Sequence, residues 1–243
     1  MNAFDVYVPS YGRAAALKTH KVFPDAIVVC PESQLDEYKK YNPDLQYMVC
    51  PDSIEGNMAR KRNWIKDHAK KDWFVVVDDD LDYIGGYEHH KEIKLTTEQI
   101  MQLCHNMFVM CEDIGTVLWG VNLQRGTLLY KEYQPFSTLS VVLGPLTGHI
   151  KSDLRYDETL PLKEDYDYSL QVLHKYHCIL RFNKYFYFVG HMTGQTGGCV
   201  SFRRMDIEES QNKLLQRKWG SSVVKFDMSK DIDPRIKVPL SGV

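Results

Sequence analysis

Trp73-Phe74-Val75-Val76-Val77-Asp78-Asp79-Asp80-Leu81-Asp82 is the stretch that decides the fold. Five apolar, strand-prone residues run straight into three carboxylates. A run this short and this apolar predicts a strand buried on both faces. Side chains alternate along a strand, so a continuing strand turns Asp78 and Asp80 one way and Asp79 the other. Adjacent carboxylates repel and are costly at a sheet end unless a cation or hydrogen-bond donors offset them. A hard divalent metal, bound through oxygen, is the simplest such partner. Taken alone, the triple reads equally well as a solvated acidic turn.

Working upstream, residues 4–8, 26–30 and 45–49 predict strands, and residues 33–41 and 57–70 predict helices. The acidic strand is therefore the fourth in a β-α-β-α-β-α-β order. The first strand is broken by Pro9-Ser10-Tyr11-Gly12-Arg13. Tyr11 can stack on a base and Arg13 can meet phosphate; an ordinary βα turn explains the segment as well. Arg60 and Asn63 share a face of the 57–70 helix, although a basic solvated surface is the commoner meaning of such a run. In open α/β sheets ligands sit beyond the carboxyl ends of the strands. That rule puts residues 9–13 and 78–80 at one rim.

Working downstream, residues 85–90 predict a loop, and its His89-His90 pair reads as surface more readily than as a metal site. Thr96 or Thr97 can cap a helix running to Cys111. Residues 115–122, 138–144, 178–182 and 185–189 predict strands, with a short one at 148–151. The segment from 124 to 135, holding Arg125, Tyr130 and Tyr133, is a candidate acceptor-side loop. Glu164 and Asp165 open a helix that runs to Tyr176, where the helix dipole alone favours acidic residues. The strand at 185–189 leads to Gly190-His191 and a glycine-rich loop, and residues 206–219 predict a last helix. Beyond Phe226 a polar, proline-containing tail is expected to strap the body.

Composition sets the outer limits. The chain has 243 residues and an apolar fraction of 44%, enough for a folded core and too much for disorder. Thirty basic against thirty-two acidic residues give a net charge of −2, which excludes a globally basic nucleic-acid coat but leaves room for a local basic groove. The start lacks a basic and an apolar leader region, and no apolar run reaches about 18 residues, so neither a signal peptide nor a membrane span is expected. The six cysteines show no C-x-x-C spacing and read as reduced thiols of a cytoplasmic protein.

Five features now stand in order: Pro9 to Arg13 after a strand, Ala59-Arg60-Lys61-Arg62-Asn63 on a helix, Asp78-Asp79-Asp80 at a strand end, Glu164-Asp165 opening a helix, and His191 after a late strand. Together, over about residues 4 to 220, they resemble the GT-A class of nucleotide-sugar glycosyltransferases. The compact length, Gly197-Gly198-Cys199 and Lys218-Trp219-Gly220 look similar to the phage enzymes related to the TET/JBP-associated group, which are proposed to place sugars on hydroxymethylated DNA pyrimidines.

The resemblance implies an α/β fold of GT-A, Rossmann-like type, with a mixed, mostly parallel sheet flanked by helices. It implies one domain: residues 1–82 bind the nucleotide sugar, 83–220 bind the acceptor, and 221–243 form a tail. It implies an inverting transfer from a nucleotide sugar, such as a UDP-sugar, with Mn2+ or Mg2+. Pro9, Tyr11 and Arg13 would line the nucleotide pocket. Arg60, Asn63, Asp78 and Asp79 would hold ribose, phosphate or sugar. Asp80 and His191 would bind the metal. Asp165 would be the general base, with Glu164 as neighbour or substitute. Arg203, Arg204, Lys213 and Arg217 would touch phosphates of modified DNA, although solvated surface charge explains them equally well. A phage-encoded chain would work in the host-cell cytoplasm. The rival readings are transfer to a glycan, lipid or protein, and a nucleotidyltransferase or nucleotide-binding protein.

Overall fold

The computed structural model describes residues 3–123, 126, 130–190 and 205–238. In chain order the elements are β1 (Asp5–Pro9), β2 (Ile27–Pro31), α1 (Leu35–Tyr41), β3 (Gln46–Cys50), α2 (Met58–His68), β4 (Trp73–Val77), β5 (Leu81–Glu88), β6 (Lys91–Lys94) and α3 (Thr97–Ile114). There follow β7 (Leu118–Asn122), β8 (Phe136–Ser137), β9 (Leu146–Ile150), α4 (Glu164–Tyr176), β10 (Leu180–Val189), α5 (Met205–Trp219), β11 (Val224–Asp227) and β12 (Asp231–Ile236).

The strands form one mixed sheet in the order β3-β2-β1-β4-β9-β7-β10-β5-β6, with β8 also paired to β10. Following the pairings across it, seven of the ten strands (β1 to β4, β6, β7 and β10) point the same way. The mostly parallel sheet expected from the sequence is therefore present. The remaining two strands, β11 and β12, form a separate hairpin.

β4 is central and covered on both faces, as its apolar run requires. Val75 and Val77 join the core under α3, with Met107, Phe108 and Cys111. Phe74 and Val76 join the core under α2, with Ile65 and Ala69. Each fully buried valine contributes roughly 1.5–3 kcal/mol over an exposed one. Thr96 caps α3 in a reciprocal box: its Oγ1 accepts from Gln99 N at 3.2 Å and its own N donates to Gln99 Oε1 at 2.9 Å. Cys30, Cys50, Cys104 and Cys111 are buried free thiols, in keeping with their reading as reduced. Among the described residues no helix is long and apolar enough to cross a membrane.

The helix face expected to be a solvated basic surface is largely buried. Lys61, Arg62, Asn63 and Lys66 are all under 7% exposed. Lys66 Nζ donates to Tyr168 Oη of α4 at 2.9 Å and lies 5.2 Å from that ring's centre, which joins α2 to α4. Burial is the main cause that lowers its amine to about 8. The last elements clamp α4 from the other side. Lys163, just before α4, pairs with Glu208 of α5 and Asp233 of β12, each at 2.9 Å. Asp167 is fully buried and accepts from Lys218, from Trp219 Nε1 at 2.8 Å and from Gln171 Nε2 at 2.7 Å.

Four expected boundaries are corrected. Residues 85–90 are not a loop: β5 runs through Gly85 and Gly86, and the chain turns at His89 and His90, both at positive φ. Gly85 is required by close approach, since a Cβ there would lie 2.5 Å from Phe186 Cζ. Residues 138–144 do not form a strand. Val142 instead satisfies its backbone on the Ser169 hydroxyl, with N–H donating at 3.1 Å and C=O accepting at 2.7 Å. The two strands expected at 178–189 are one, β10, with a register shift between Phe182 and Phe186. The tail beyond Phe226 is largely the β11–β12 hairpin.

Candidate active site

The strand stops at Val77, so the three aspartates do not alternate as a continuing strand would. Asp78 N donates to Pro145 O at 2.9 Å, and Asp79 and Asp80 lie in a turn. Asp79 is turned inward, 5% exposed. It accepts from Ser10 Oγ at 2.5 Å and from Arg13 Nη1 at 2.9 Å. Tyr38 Oη backs Ser10 Oγ at 2.6 Å. Arg13 Nη1 also reaches Asp80 Oδ2 at 3.1 Å, so this one guanidinium bridges two carboxylates. The turn is pinned by Thr19, whose Oγ1 donates to Asp78 O and accepts from Leu81 N at 3.1 Å. The loop after β1 is thus built to hold the acidic turn. Pro9 ends β1 in the core side of that loop, and Tyr11 is 46% exposed beside it.

Asp78 differs from Asp79. Among the described residues its carboxylate accepts no hydrogen bond. Desolvation, with Asp79 and Asp80 close by, pushes it up to about 6 against the pull of Arg62.

Arg62 enters from α2. Its Nη1 lies 3.2 Å from Glu164 Oε1, and its guanidinium is 5.5 Å from the centre of the Tyr156 ring. Nε and Nη1 are nevertheless buried without a hydrogen-bond partner among the described residues. Burial opposes its charge, but Glu164 foremost, then Tyr156, Asp78 and Asp165, hold it above the ordinary arginine range. Burial in turn raises Glu164, helped by Asp165 and Asp78 and opposed by Arg62.

Asp165 is half-buried and, among the described residues, is hydrogen-bonded by backbone N–H groups. Gly144 N donates to its Oδ2 at 3.1 Å and Tyr166 N to its Oδ1 at 2.8 Å. Gly144 has φ +81°, and a Cβ there would lie 2.6 Å from the Tyr187 hydroxyl. Burial, and then the nearby charges of Asp78 and Asp165, raise the Tyr187 pKa.

The geometry therefore gathers Arg13, Asp78, Asp79, Asp80, Glu164 and Asp165. It turns others away. Asn63 Nδ2 donates to Tyr156 O at 2.9 Å while its Oδ1 accepts from Tyr156 N at 2.8 Å, so its amide is spent on bracing the chain. Arg60 reaches outward to Ser53 O at 2.7 Å and to Glu158 at 3.5 Å. Lys213 pairs with Glu209 of its own helix at 2.6 Å, and Arg217 is exposed on that helix. His191, Arg203, Arg204 and Arg125 lie outside the described residues. Arg62, Gly144 and Tyr187 were missed by sequence reasoning. A signal for Arg62 existed: it interrupts the apolar stripe Ala59, Ile65 and Ala69 of α2, where a cation needs a buried partner.

Among the described residues no group of three His, Cys, Asp or Glu side chains closes around a metal position. The donor set still fits a hard divalent cation. Asp78 offers a carboxylate with no hydrogen-bond donor among the described residues and a raised proton affinity, and Asp80 a second, half-buried carboxylate.

A strand-end acidic turn beside a βα loop, faced by carboxylates from a later helix, defines the GT-A fold class of nucleotide-sugar glycosyltransferases. Solved structures agree on the fold. A mannosyltransferase from Pyrobaculum calidifontis, in complex with GDP-Man and Mn2+, aligns at TM-score 0.59 and 13% identity over 88% of this chain and 64% of that one. S. aureus TarS 1-349 with UDP-GlcNAc aligns at 0.53 and 16%, over 88% and 66%. Glucosyl-3-phosphoglycerate synthase from Mycobacterium tuberculosis, with Mn2+, UDP-glucose and phosphoglyceric acid, aligns at 0.54 and 13%, over 98% and 88%. The chain thus spans slightly less than two thirds of the first two. A family model described as TET-Associated Glycosyltransferase matches residues 4–198, and the chain belongs to that family of glycosyltransferases. No curated protein matches the sequence.

Proposed function

We propose that the protein transfers a sugar, with inversion, from a nucleoside-diphosphate sugar to a hydroxymethylated pyrimidine of DNA. The observation that carries the reading is Arg62: a buried guanidinium, ion-paired to Glu164, whose Nε and Nη1 make no hydrogen bond among the described residues, set among Asp78, Glu164 and Asp165 from two distant parts of the chain. Structural carboxylates would have satisfied those donors; a site for a polyoxygenated, anionic ligand leaves them available. The family's name supports a DNA acceptor. Relatives of the fold carrying UDP- or GDP-sugars, two of them with Mn2+, support the donor class.

In this reading residues 1–82 hold the donor, 83–220 the acceptor, and the tail beyond 220 braces the second half. Pro9 and Tyr11 border the nucleotide, and Arg13 keeps Asp79 and Asp80 in place beneath it. Arg62 offers Nε and Nη1 to donor oxygens. Asp78 and Asp80, with His191 as a further ligand, would hold the divalent metal, which supplies charge to offset the departing diphosphate. Asp165 is the general base: two backbone N–H groups fix its plane, and its remaining lone pairs can take the acceptor hydroxyl's proton. Glu164 is turned to Arg62 and positions it.

The test mixes a panel of nucleotide sugars and Mn2+ with and without hydroxymethylpyrimidine DNA, following nucleoside-diphosphate release and DNA mass. A mass gain of one sugar, abolished by EDTA, is expected. Donor hydrolysis without gain moves the acceptor to a glycan, lipid or protein. Pyrophosphate release would replace glycosyl by nucleotidyl transfer. Silence across the panel overturns the reading.

A further inference from the structure

A pocket of about 210 Å³ opens beside the helix that carries Asp165. Leu139, Val141, Leu143, Tyr166 and Ile236 wall it, and Arg181 supplies its cation. Leu180 and Phe182 of β10 pack into the core under α3, so strand alternation turns Arg181 to the opposite face, where α4 lies. Its Nε donates to Asn183 Oδ1 at 3.0 Å, and among the described residues no carboxylate forms an ion pair with it. Burial alone lowers its pKa, with no acid opposing the shift.

A partly buried guanidinium held in this pocket beside Ser140, without an acid among the described residues, costs desolvation energy that an oxyanion ligand would return. The volume is below the few hundred Å³ of a typical whole-ligand site, and suits one anionic group. The pocket also borders the proposed base. Leu143 precedes Gly144, whose N–H holds Asp165, and Tyr166 follows Asp165. Pairing places Arg181 level with Gly120, Thr147 and Val76 across the sheet. Three strand spacings put it roughly 14 Å from Val76, just below the acidic turn. Phe136 of β8 and Leu139 just after it, 46% and 42% exposed, offer apolar contact to a base.

We propose that this pocket is an oxyanion subsite in which Arg181 binds a phosphodiester of the acceptor strand, flanking the hydroxyl presented to Asp165. The inference rests on the nucleic-acid acceptor reading above. Its ligand chemistry, phosphate, has a second source in a small phosphorylated acceptor.

The test measures binding of a fluorescent single-stranded hydroxymethylpyrimidine oligonucleotide against salt concentration, for wild type, Arg181→Met and Arg181→Lys. One lost phosphate contact reduces the slope of log K against log salt by about 0.7. The expected result is that slope change and a several-fold weaker affinity in Arg181→Met, with both largely kept in Arg181→Lys. Equal slopes in wild type and Arg181→Met overturn the subsite while leaving the DNA reading intact. If wild type binds no oligonucleotide, the acceptor reading fails by itself, and inorganic phosphate decides the subsite. A phosphate-induced rise in melting temperature present in wild type and absent from Arg181→Met upholds it with the small acceptor as source; equal response or none overturns it.

Discussion

Replacing Asp165 with Asn separates chemistry from architecture. The carboxylate takes one backbone N–H on each oxygen, from Gly144 at 3.1 Å and Tyr166 at 2.8 Å. Asparagine has one oxygen for two donors, so its NH2 must confront one of them. A donor left unpaired in a half-buried site costs about 1–3 kcal/mol, which a folded domain of this size survives. The chemical cost is larger. A missing general base typically removes about 10²- to 10⁴-fold in rate, or about 3–5 kcal/mol of barrier. Donor affinity should change less than about threefold, because in the proposed role the side chain meets the acceptor's proton and not the nucleotide. The assay pairs donor titration by calorimetry with single-turnover transfer on saturating enzyme, and urea unfolding supplies the stability term. Transfer by Asp165→Asn within about tenfold of wild type refutes the assignment. A matching collapse in Glu164→Gln with folding retained would hand the role to Glu164.

Three further outcomes are expected. Lys66 has its amine lowered to about 8 when folded, from 10.5. Below about pH 8 both states are protonated and the burial penalty stands in full. Between about 8 and 10.5 the unfolded chain binds the extra proton, so stability rises with pH by about 3 kcal/mol. The difference between wild type and Lys66→Met in urea titrations should carry that rise, and a flat difference from pH 7.5 to 10 contradicts it. Gly144→Ala forces an alanine to φ +81° with its Cβ 2.6 Å from Tyr187 Oη; about 2 kcal/mol of stability and most transfer should go, read by thermal melts and turnover, and an unchanged melt would disprove the tight approach. Asp167→Ala leaves Trp219 Nε1 without its buried acceptor, while Lys218 keeps Asp157 at 2.7 Å; a loss of about 1–3 kcal/mol is expected, and protease cutting near α5 should quicken, whereas wild-type resistance would show that the clamp holds by apolar packing.

The sequence was most legible where one physical demand dominates. The β4 run reads as strand because nothing else buries five such residues on two faces, and the helix at Thr96 announces itself through its cap. The acidic turn was recognisable as a candidate site, but its alternation was misread, because the pull of Ser10 and Arg13 on Asp79 depends on a loop 66 to 69 positions away. Gly85-Gly86 looked like a turn because a glycine needed for the approach of Phe186 is indistinguishable, in one dimension, from one needed for a turn. Residues 138–144 looked like a strand because their β-branched content does not reveal Ser169 as their hydrogen-bond partner. Arg62 was passed over for Arg60 and Asn63 because a run of basic residues normally faces water.

The pairing of Lys163 with Glu208 and Asp233 sets an order of events during synthesis. Lys163 precedes the helix that carries Glu164 and Asp165, yet its aspartate partner is made 70 positions later. A chain still emerging from the ribosome can complete β1 to β4 and the acidic turn well before α4 has anything to lean on. On the proposed assignment catalytic competence is then the last property the molecule acquires, and a product interrupted before residue 233 keeps the first four strands without the Asp233 contact that steadies the start of α4.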